Sequence, residues 1–374
     1  MLITIIAKVL GNVSKLLRTG AGATWPGHLI CKFYPQFLNK SLKKFNNGLV
    51  YITGTNGKTT TTSFVARFLT ARNLSVVTNS TGANLSGGVA SSIVSGFDYL
   101  GRSSFCYGIF EIDEGAAPYF LKQCFPDVLV FLNLSRDQLD RYGEPDITLE
   151  RIVEVLEQAS KKVVVIYNPL DEFLTKLPKI TKNPNIVYRV IPEEETFIKV
   201  NKTAAVMALE GLGFKGDLVR RFVENLGHAF GRGEEITFKN CQVSILLAKN
   251  PASFNANLSL VVAEKPQKEF TPIFILNDNI PDGRDVSWIY DIDSALLQKV
   301  CKKARDLVFI TGTRAWDFSL RLVLAGTSPD SLVVDTEIDT VLNKATSKGG
   351  YVTVFPTYSA MLETRKFLLG RKIP

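Results

Sequence analysis

A glycine-rich segment between an apolar stretch and a helical stretch constrains the fold of this chain more than any other feature. Residues 54–60 read Gly-Thr-Asn-Gly-Lys-Thr-Thr, and they follow the apolar, β-prone residues 49–52. After them, residues 63–69 carry apolar side chains at helical spacing. A strand, a glycine-rich turn and a helix in this order direct backbone N–H groups and the helix N-terminus at an anion. The segment therefore predicts a phosphate-binding loop within an α/β fold.

The side chains of this loop suit a nucleotide and its metal ion. Lys58 supplies a point charge for the β- and γ-phosphates, and the Thr59 hydroxyl can reach Mg²⁺. The segment is shorter than the general loop G-x-x-x-x-G-K-[ST], so the alternative is a surface turn with an incidental Gly-Lys-Thr. The flanking strand and helix favour the phosphate loop. We expect seven residues to bind ATP: Gly54, Thr55, Asn56, Gly57, Lys58, Thr59 and Thr60.

The rest of the chain alternates between predicted strands and helices, which is typical of a doubly wound, mainly parallel sheet. With 374 residues and 45% hydrophobic residues, the chain is long enough for two or three globular domains. We expect a helical and irregular lead-in over residues 1–48, a nucleotide-binding domain over 49–235 and a smaller α/β domain over 236–374. The net charge is +8, but no long basic run is present, so we expect no nucleic-acid partner.

Acidic side chains follow a predicted strand that ends near residue 111. Glu111, Asp113 and Glu114 lie there, and Asn133 follows the next buried strand. Ligands of open α/β sheets bind beyond the carboxyl ends of the strands, and hard cations prefer oxygen ligands. We therefore predict Glu111 as a metal-side carboxylate. A solvated acidic turn is the alternative.

The cysteines and residues 1–18 indicate the cellular compartment in which the protein acts. The five cysteines are widely spaced and form no C-x-x-C pair, which predicts neither a disulfide framework nor a zinc ribbon and fits a reducing cytosol. The apolar run in residues 1–18 is interrupted by Lys8 and is too short to span a bilayer. It predicts either an amphipathic helix on the inner membrane surface or a helix packed on the next domain.

Four stretches together resemble the Mur ligase family: the loop at 54–60, the acidic residues at 110–114, the run from Asn133 to Gly143, and Gly231-Arg-Gly-Glu234. The resemblance implies that Asn133 and Arg232 bind the nucleotide. It also implies that Asp137 faces the metal with Thr59 and Glu111, and that Lys58 and Glu111 act in catalysis. The family joins a carboxylate to an amine through an acyl phosphate made from ATP. Gln138 stands where the family has a metal-binding His, and a glutamine offers only a neutral carbonyl oxygen at that position.

Other stretches resemble the MurT branch of this family, the synthetase subunits of lipid II isoglutaminyl synthase. They are residues 18–27, 78–84, 276–291 and 311–315. The resemblance implies amidation of the D-glutamate α-carboxyl of the lipid II stem peptide to D-isoglutamine at the membrane surface. A separate GatD-like glutaminase subunit supplies the ammonia. Members often carry a four-cysteine zinc ribbon, which this sequence lacks, so we expect no zinc.

The same resemblance implies that this chain lends an aspartate to the Cys–His pair of the glutaminase. Asp285 is our first choice as this catalytic residue, followed by Asp282 and Asp291. Two other functions stay open. One is a stand-alone Mur-type or folylpolyglutamate-synthetase-like amino-acid ligase. The other is a nucleotide-binding scaffold that has lost catalysis.

Overall fold

The computed structural model describes residues 25–79, 83–97, 106–134, 145–194, 197–226, 232–263 and 269–370. The chain divides into two compact units, Met1–Gly227 and His228–Pro374. Each unit contains one six-stranded sheet with helices on both faces. The predicted α/β class is therefore confirmed.

The first sheet is wholly parallel and has the strand order β2-β3-β1-β4-β5-β6. Because β1 lies between β3 and β4, the strand order reverses at β1, and ligands of such sheets bind at this point. The strands are β1 Gly48–Thr53, β2 Val76–Thr78, β3 Tyr107–Glu111, β4 Val128–Phe131, β5 Val163–Tyr167 and β6 Ile186–Val190.

Two helical layers cover this sheet, and the strand residues alternate between them. In β1, Leu49 and Tyr51 join one apolar core, while Val50 and Ile52 join the other. The first layer contains α1 Trp25–Phe33, α2 Phe37–Leu42, α4 Ser86–Gly96, α5 Ala117–Gln123, α6 Pro145–Leu156 and the short α7 Leu177–Ile180. The second contains α3 Lys58–Thr70, α8 Phe197–Gly211 and α9 Gly216–Glu224.

The second sheet has the order β11-β10-β9-β12-β8-β7, and only β7 runs antiparallel to its neighbour. Its strands are β7 Arg232–Phe238, β8 Cys241–Leu246, β9 Phe270–Ile275, β10 Val308–Thr311, β11 Leu332–Val334 and β12 Gly350–Pro356. Its helices are α10 Pro251–Ala263, α11 Ser294–Lys302, α12 Ala315–Leu324, α13 Ile338–Thr346 and α14 Tyr358–Leu369. A 3₁₀ turn covers Ser287–Asp291.

The structure differs from the sequence-based outline at two strands. The boundary predicted after residue 235 falls inside β7, because residues 232–238 pair with β8 and so belong to the second sheet. Gly231 and Gly233 favour a break in regular structure, and the polar residues of β7 give little strand signal, so the predicted boundary falls after the strand has begun. The other is the short strand Ile186–Val190, β6, which the sequence analysis did not predict. Among the described residues, no helix is long and apolar enough to cross a membrane.

Candidate nucleotide and ligase site

The loop after β1 takes a backbone conformation that requires its glycines. Gly54 has φ of +127° and Gly57 has φ of +88°, a region that side chains disfavour. Space is also limited, since a Cβ on Gly54 would lie 2.7 Å from the backbone oxygen of Asn133. Gly57 is followed directly by α3, whose N-terminus begins at Lys58. The predicted strand, turn and helix are all present.

Lys58 lies folded back over the loop. Its Nζ donates to the backbone oxygen of Gly54 and, at 3.0 Å, to Oε2 of Glu114. Both side chains are at most a tenth exposed. Burial alone would lower the pKa of Lys58, but the carboxylates of Glu114 and Asp113 outweigh it and the pKa is raised. The ammonium is therefore charged at neutral pH and is held over the loop by the Gly54 carbonyl and Glu114.

Glu111 is the last residue of β3 and is buried beside the loop. Sequence reasoning missed the residue that holds it. The side-chain amide of Asn79 accepts from the Glu111 N–H at 2.9 Å and donates to the Glu111 carbonyl at 2.8 Å. Asn79 follows β2, so its side chain continues the sheet pairing for one more residue. A polar residue directly after a strand was the available signal.

The residues around the loop suit one divalent cation shared with phosphate oxygens. Mg²⁺ is usually held by one or two carboxylates together with substrate phosphates. Glu111 ends β3 next to β1, and Thr59 is in the first turn of α3. Within the described ranges, no group of three or more His, Cys, Asp or Glu side chains could hold a metal. Asp137, the other predicted metal-side residue, lies outside the described residues.

Asn133 braces the phosphate loop from the neighbouring strand. Its side chain accepts from the Asn56 N–H at 2.8 Å and donates to the Asn56 carbonyl at 3.0 Å, and its own carbonyl accepts from Thr55 N–H. The residue after Asn133 is also held, because the Leu134 N–H donates to the carboxylate of Asp171. The sequence analysis did not select Asp171. These contacts make Asn133 a residue that shapes the loop.

Asn201 is a second residue that sequence reasoning missed. It lies on α8 and is 5% exposed, and its Oδ1 has no hydrogen-bond partner within the described part of the chain. This oxygen is only 2.3 Å from where a Cβ on Gly57 would lie. A polar residue on the otherwise apolar buried face of this helix was the signal. A buried amide oxygen without a donor is costly, and only an N–H or O–H donor or a cation could relieve that cost.

The three candidate aspartates of the second unit have different environments. Asp282 accepts from the N–H and Oγ of Ser359 at the start of α14, so it fastens two segments together. Asp285 is exposed, and hydrogen bonds from Ser287 hold its pKa below the ordinary value. Asp291 is exposed at the end of the 3₁₀ turn. Asp285 is thus an accessible, ionised carboxylate.

The Gly231–Glu234 stretch is described in part. The backbone of Arg232 begins β7, but its side chain lies outside the described residues. Glu234 forms an ion pair with Arg365 of α14. A bulge separates Arg232 and Glu234 in the pairing with β8. The proposed contact between Arg232 and phosphate stays a prediction.

Two family models match the chain, one in each unit. The Mur ligase middle domain matches residues 52–211 and the MurT ligase C-terminal domain matches residues 247–361. A Staphylococcus aureus protein named lipid II isoglutaminyl synthase (glutamine-hydrolyzing) subunit MurT is 28% identical over 91% of both chains. The Streptococcus pneumoniae protein of the same name is 24% identical over 96% of this chain and 95% of its own. The chain belongs to the MurT branch of the Mur ligase family.

Solved structures agree on the fold. MurF ligase from Thermotoga maritima in complex with ADP matches with a TM-score of 0.66 at 15% identity, over 92% of this chain and 85% of that one. Mycobacterium tuberculosis folylpolyglutamate synthase complexed with ADP matches with a TM-score of 0.67 at 13% identity, over 92% and 94%. Membership of this family, with its phosphate loop in place, makes the chain an ATP-dependent ligase.

Proposed function

We propose that this chain is the synthetase subunit of a lipid II isoglutaminyl synthase. It would amidate the D-glutamate α-carboxyl of the lipid II stem peptide to D-isoglutamine, a step of peptidoglycan biosynthesis. The observation that carries the proposal is the presence, in one chain, of a braced phosphate loop beside Glu111 and a MurT-type second unit.

The proposed reaction has two steps. A carboxylate oxygen of D-glutamate attacks the γ-phosphorus of ATP, so that ADP leaves and an acyl phosphate forms. Ammonia then attacks the acyl carbon, and the C–O bond to phosphate breaks as the nitrogen loses a proton. Catalysis of this kind depends on position and charge neutralisation.

The residues of the loop have separate tasks in this scheme. The loop N–H groups and the Lys58 ammonium would hold the β- and γ-phosphates and stabilise the charge that develops during transfer. Thr59 and Glu111 would hold Mg²⁺, which neutralises phosphate charge when bound. Asn133 keeps the loop in shape. We propose Arg232 as a further phosphate contact and Asp137 as a further metal-side carboxylate.

We propose a GatD-like glutaminase as the partner that supplies ammonia. The relatives of this chain are named as a subunit of a glutamine-hydrolysing synthase, and this name supports the existence of a second chain. A Cys–His pair needs a third group that orients the histidine, and an ionised, accessible carboxylate suits that role. Asp285 is such a group. We also propose a cytoplasmic site of action at the inner face of the plasma membrane, where the lipid-linked substrate is found.

Product analysis by mass spectrometry tests the reaction. The chain is incubated with ATP, Mg²⁺ and lipid II, and with either ammonium or glutamine, with and without the glutaminase subunit. We expect amide with ammonium alone, and amide with glutamine only when the partner is present. Lys58→Ala should abolish both reactions.

Asp285→Asn separates the two halves of the proposal. It should keep the ammonium-dependent reaction and lose the glutamine-dependent one. If no amide forms under any condition and an amino acid is added in an ATP-dependent reaction instead, the chain is a stand-alone ligase and the proposal is wrong. No turnover of ATP with any substrate would favour the scaffold.

A further inference from the structure

The charges of this chain are distributed very unevenly. The first 97 residues contain ten Lys and Arg but no Asp or Glu, whereas the remaining residues are nearly balanced. So long a stretch without a carboxylate has no counter-charges nearby in sequence, and only residues from later in the chain can pair with its basic side chains, as Glu114 does with Lys58. In the first unit this stretch contributes β1, β2 and the helices α1 to α4.

The basic stretch forms much of one helical layer. Helices α1, α2, α4 and α5 share one apolar core on the same face of the first sheet. None of these four helices contains an acidic residue. The acidic side chains of the layer begin only at α6, with Asp146, Glu150 and Glu154. These four helices therefore carry basic side chains and no acidic ones, and Asp127, which follows α5, pairs with Lys161.

Helix α1 presents large apolar side chains to solvent. Trp25 is 59% exposed and Phe33 is 70% exposed, and the exposed Lys32 lies two helical turns after Trp25 and directly before Phe33. The opposite face of the helix is fixed against α4. The Gly27 N–H donates to Ser91 Oγ at 2.8 Å, and Ile30 is buried. The exposed face is thus a second apolar face that the core of the unit does not use.

Exposed lysines continue from this helix over α2. Lys40 lies on α2 and Lys43 and Lys44 follow it directly, all of them exposed. The Lys40 ammonium lies over the Tyr34 ring, 5.1 Å from its centroid, and leaves its other side to solvent. Aromatic rings with lysines between them suit the headgroup level of a bilayer, where rings enter the interface and ammonium groups meet lipid phosphates.

We propose that this basic aromatic face docks on an anionic phospholipid bilayer. The face is defined by Trp25, Lys32, Phe33, Lys40, Lys43 and Lys44. Charge complementarity with acidic headgroups identifies the occupant, and the exposed rings favour a membrane over a nucleic acid, whose backbone offers them no apolar phase. The proposal rests on the proposed function, because a lipid-linked substrate requires an enzyme that works at the bilayer surface.

Vesicle binding of the full chain tests the proposal. Sedimentation compares vesicles of phosphatidylcholine alone with vesicles that also contain phosphatidylglycerol. We expect binding only to the anionic vesicles, and weaker binding as salt is raised. Each lysine near an anionic surface contributes about fivefold, so Lys32→Glu/Lys43→Glu/Lys44→Glu should lower partitioning by at least on the order of a hundredfold.

Two further variants make the test specific. Lys179→Glu/Lys299→Glu/Lys302→Glu changes three exposed lysines elsewhere by the same total charge and should retain binding. Trp25→Ala/Phe33→Ala should weaken binding while leaving its salt dependence unchanged, because it removes apolar contacts only. This aromatic variant keeps the proposal testable if the first charge variant fails to fold.

The outcomes separate this proposal from the proposed function. Amidation of a water-soluble stem-peptide substrate should be equal in all variants, while amidation of lipid II in anionic vesicles should fall with vesicle binding. Three results would overturn the docking proposal. The two charge variants could lose binding equally, or the chain could bind neutral vesicles as well as anionic ones. The chain could also bind duplex DNA but not vesicles. Failure to amidate any substrate, with vesicle binding as expected, would instead refute the proposed function.

Discussion

The ammonium of Lys58 has a structural and a chemical task, and two variants separate them. Lys58→Met removes the positive charge from buried Glu114, which it contacts at 3.0 Å. Breaking one side of a buried ion pair costs about 3 kcal/mol, so we expect chemical denaturation to show a free energy of unfolding lower by that amount.

Glu114→Gln in the Lys58→Met background should restore much of that stability, because the glutamine amide carries no charge to desolvate. It should not restore ATP turnover, since the phosphates still lack their ammonium. Recovery of turnover by the double variant would show that Lys58 serves the fold alone.

Asn133 gives a second prediction at the scale of single residues. Asn133→Asp keeps the acceptor for Asn56 N–H but turns a carboxylate oxygen toward the Asn56 carbonyl. Losing one such hydrogen bond costs about 1.4 kcal/mol, so we expect the KM for ATP to rise about tenfold. Asn47→Asp, the same change at an exposed position, is the control. An unchanged KM in steady-state kinetics would mean that the loop keeps its shape without this brace.

At the scale of elements, a buried arginine on α12 fixes the turn near Asp285. Arg321 is 3% exposed and donates to the carbonyls of Ile289 and Ile292 and to Ser294 Oγ. Burial lowers its pKa. The side chain thus ties α12 to the 3₁₀ turn Ser287–Asp291, and through it holds the segment that begins at Asp285.

Arg321→Met should leave those carbonyls without their donor and lower the free energy of unfolding by about 3 kcal/mol. Arg321→Lys should recover only part of this, since an ammonium cannot reproduce the guanidinium fork. Hydrogen exchange of the amides in Ser287–Asp291 measures the effect locally. Exchange in that turn as slow as in the unchanged chain would contradict the assignment.

Elements with strong local signals were predictable from the sequence, and those held by distant partners were not. The strand at Val163–Tyr167 is a continuous apolar run, a pattern that is itself typical of a buried parallel strand. By contrast, β7 carries polar residues and exists because β8 supplies its hydrogen bonds. The same reason explains which site residues were predictable. Lys58 and Glu111 belong to local sequence motifs. Asn79 and Asn201 contact residues far along the chain, which no local pattern reveals.

At the scale of the whole molecule, the second unit contains its own cores. Both of its apolar clusters are built from residues between Ile236 and Leu368, without any from the first unit. Burial of apolar surface is the main stabilising contribution to folding. A polypeptide of residues 228–374 should therefore fold alone and unfold cooperatively with heat.

A shorter polypeptide of residues 236–374 tests where the unit begins. It removes the start of β7 and exposes the hydrogen-bonding edge of β8, which favours association with other chains. It also removes Glu234, the ion-pair partner of Arg365. We expect a lower unfolding temperature and aggregation in light scattering, whereas the longer polypeptide stays monomeric. Equal behaviour of the two would place the boundary at residue 236 and would make residues 232–235 of β7 dispensable to the unit.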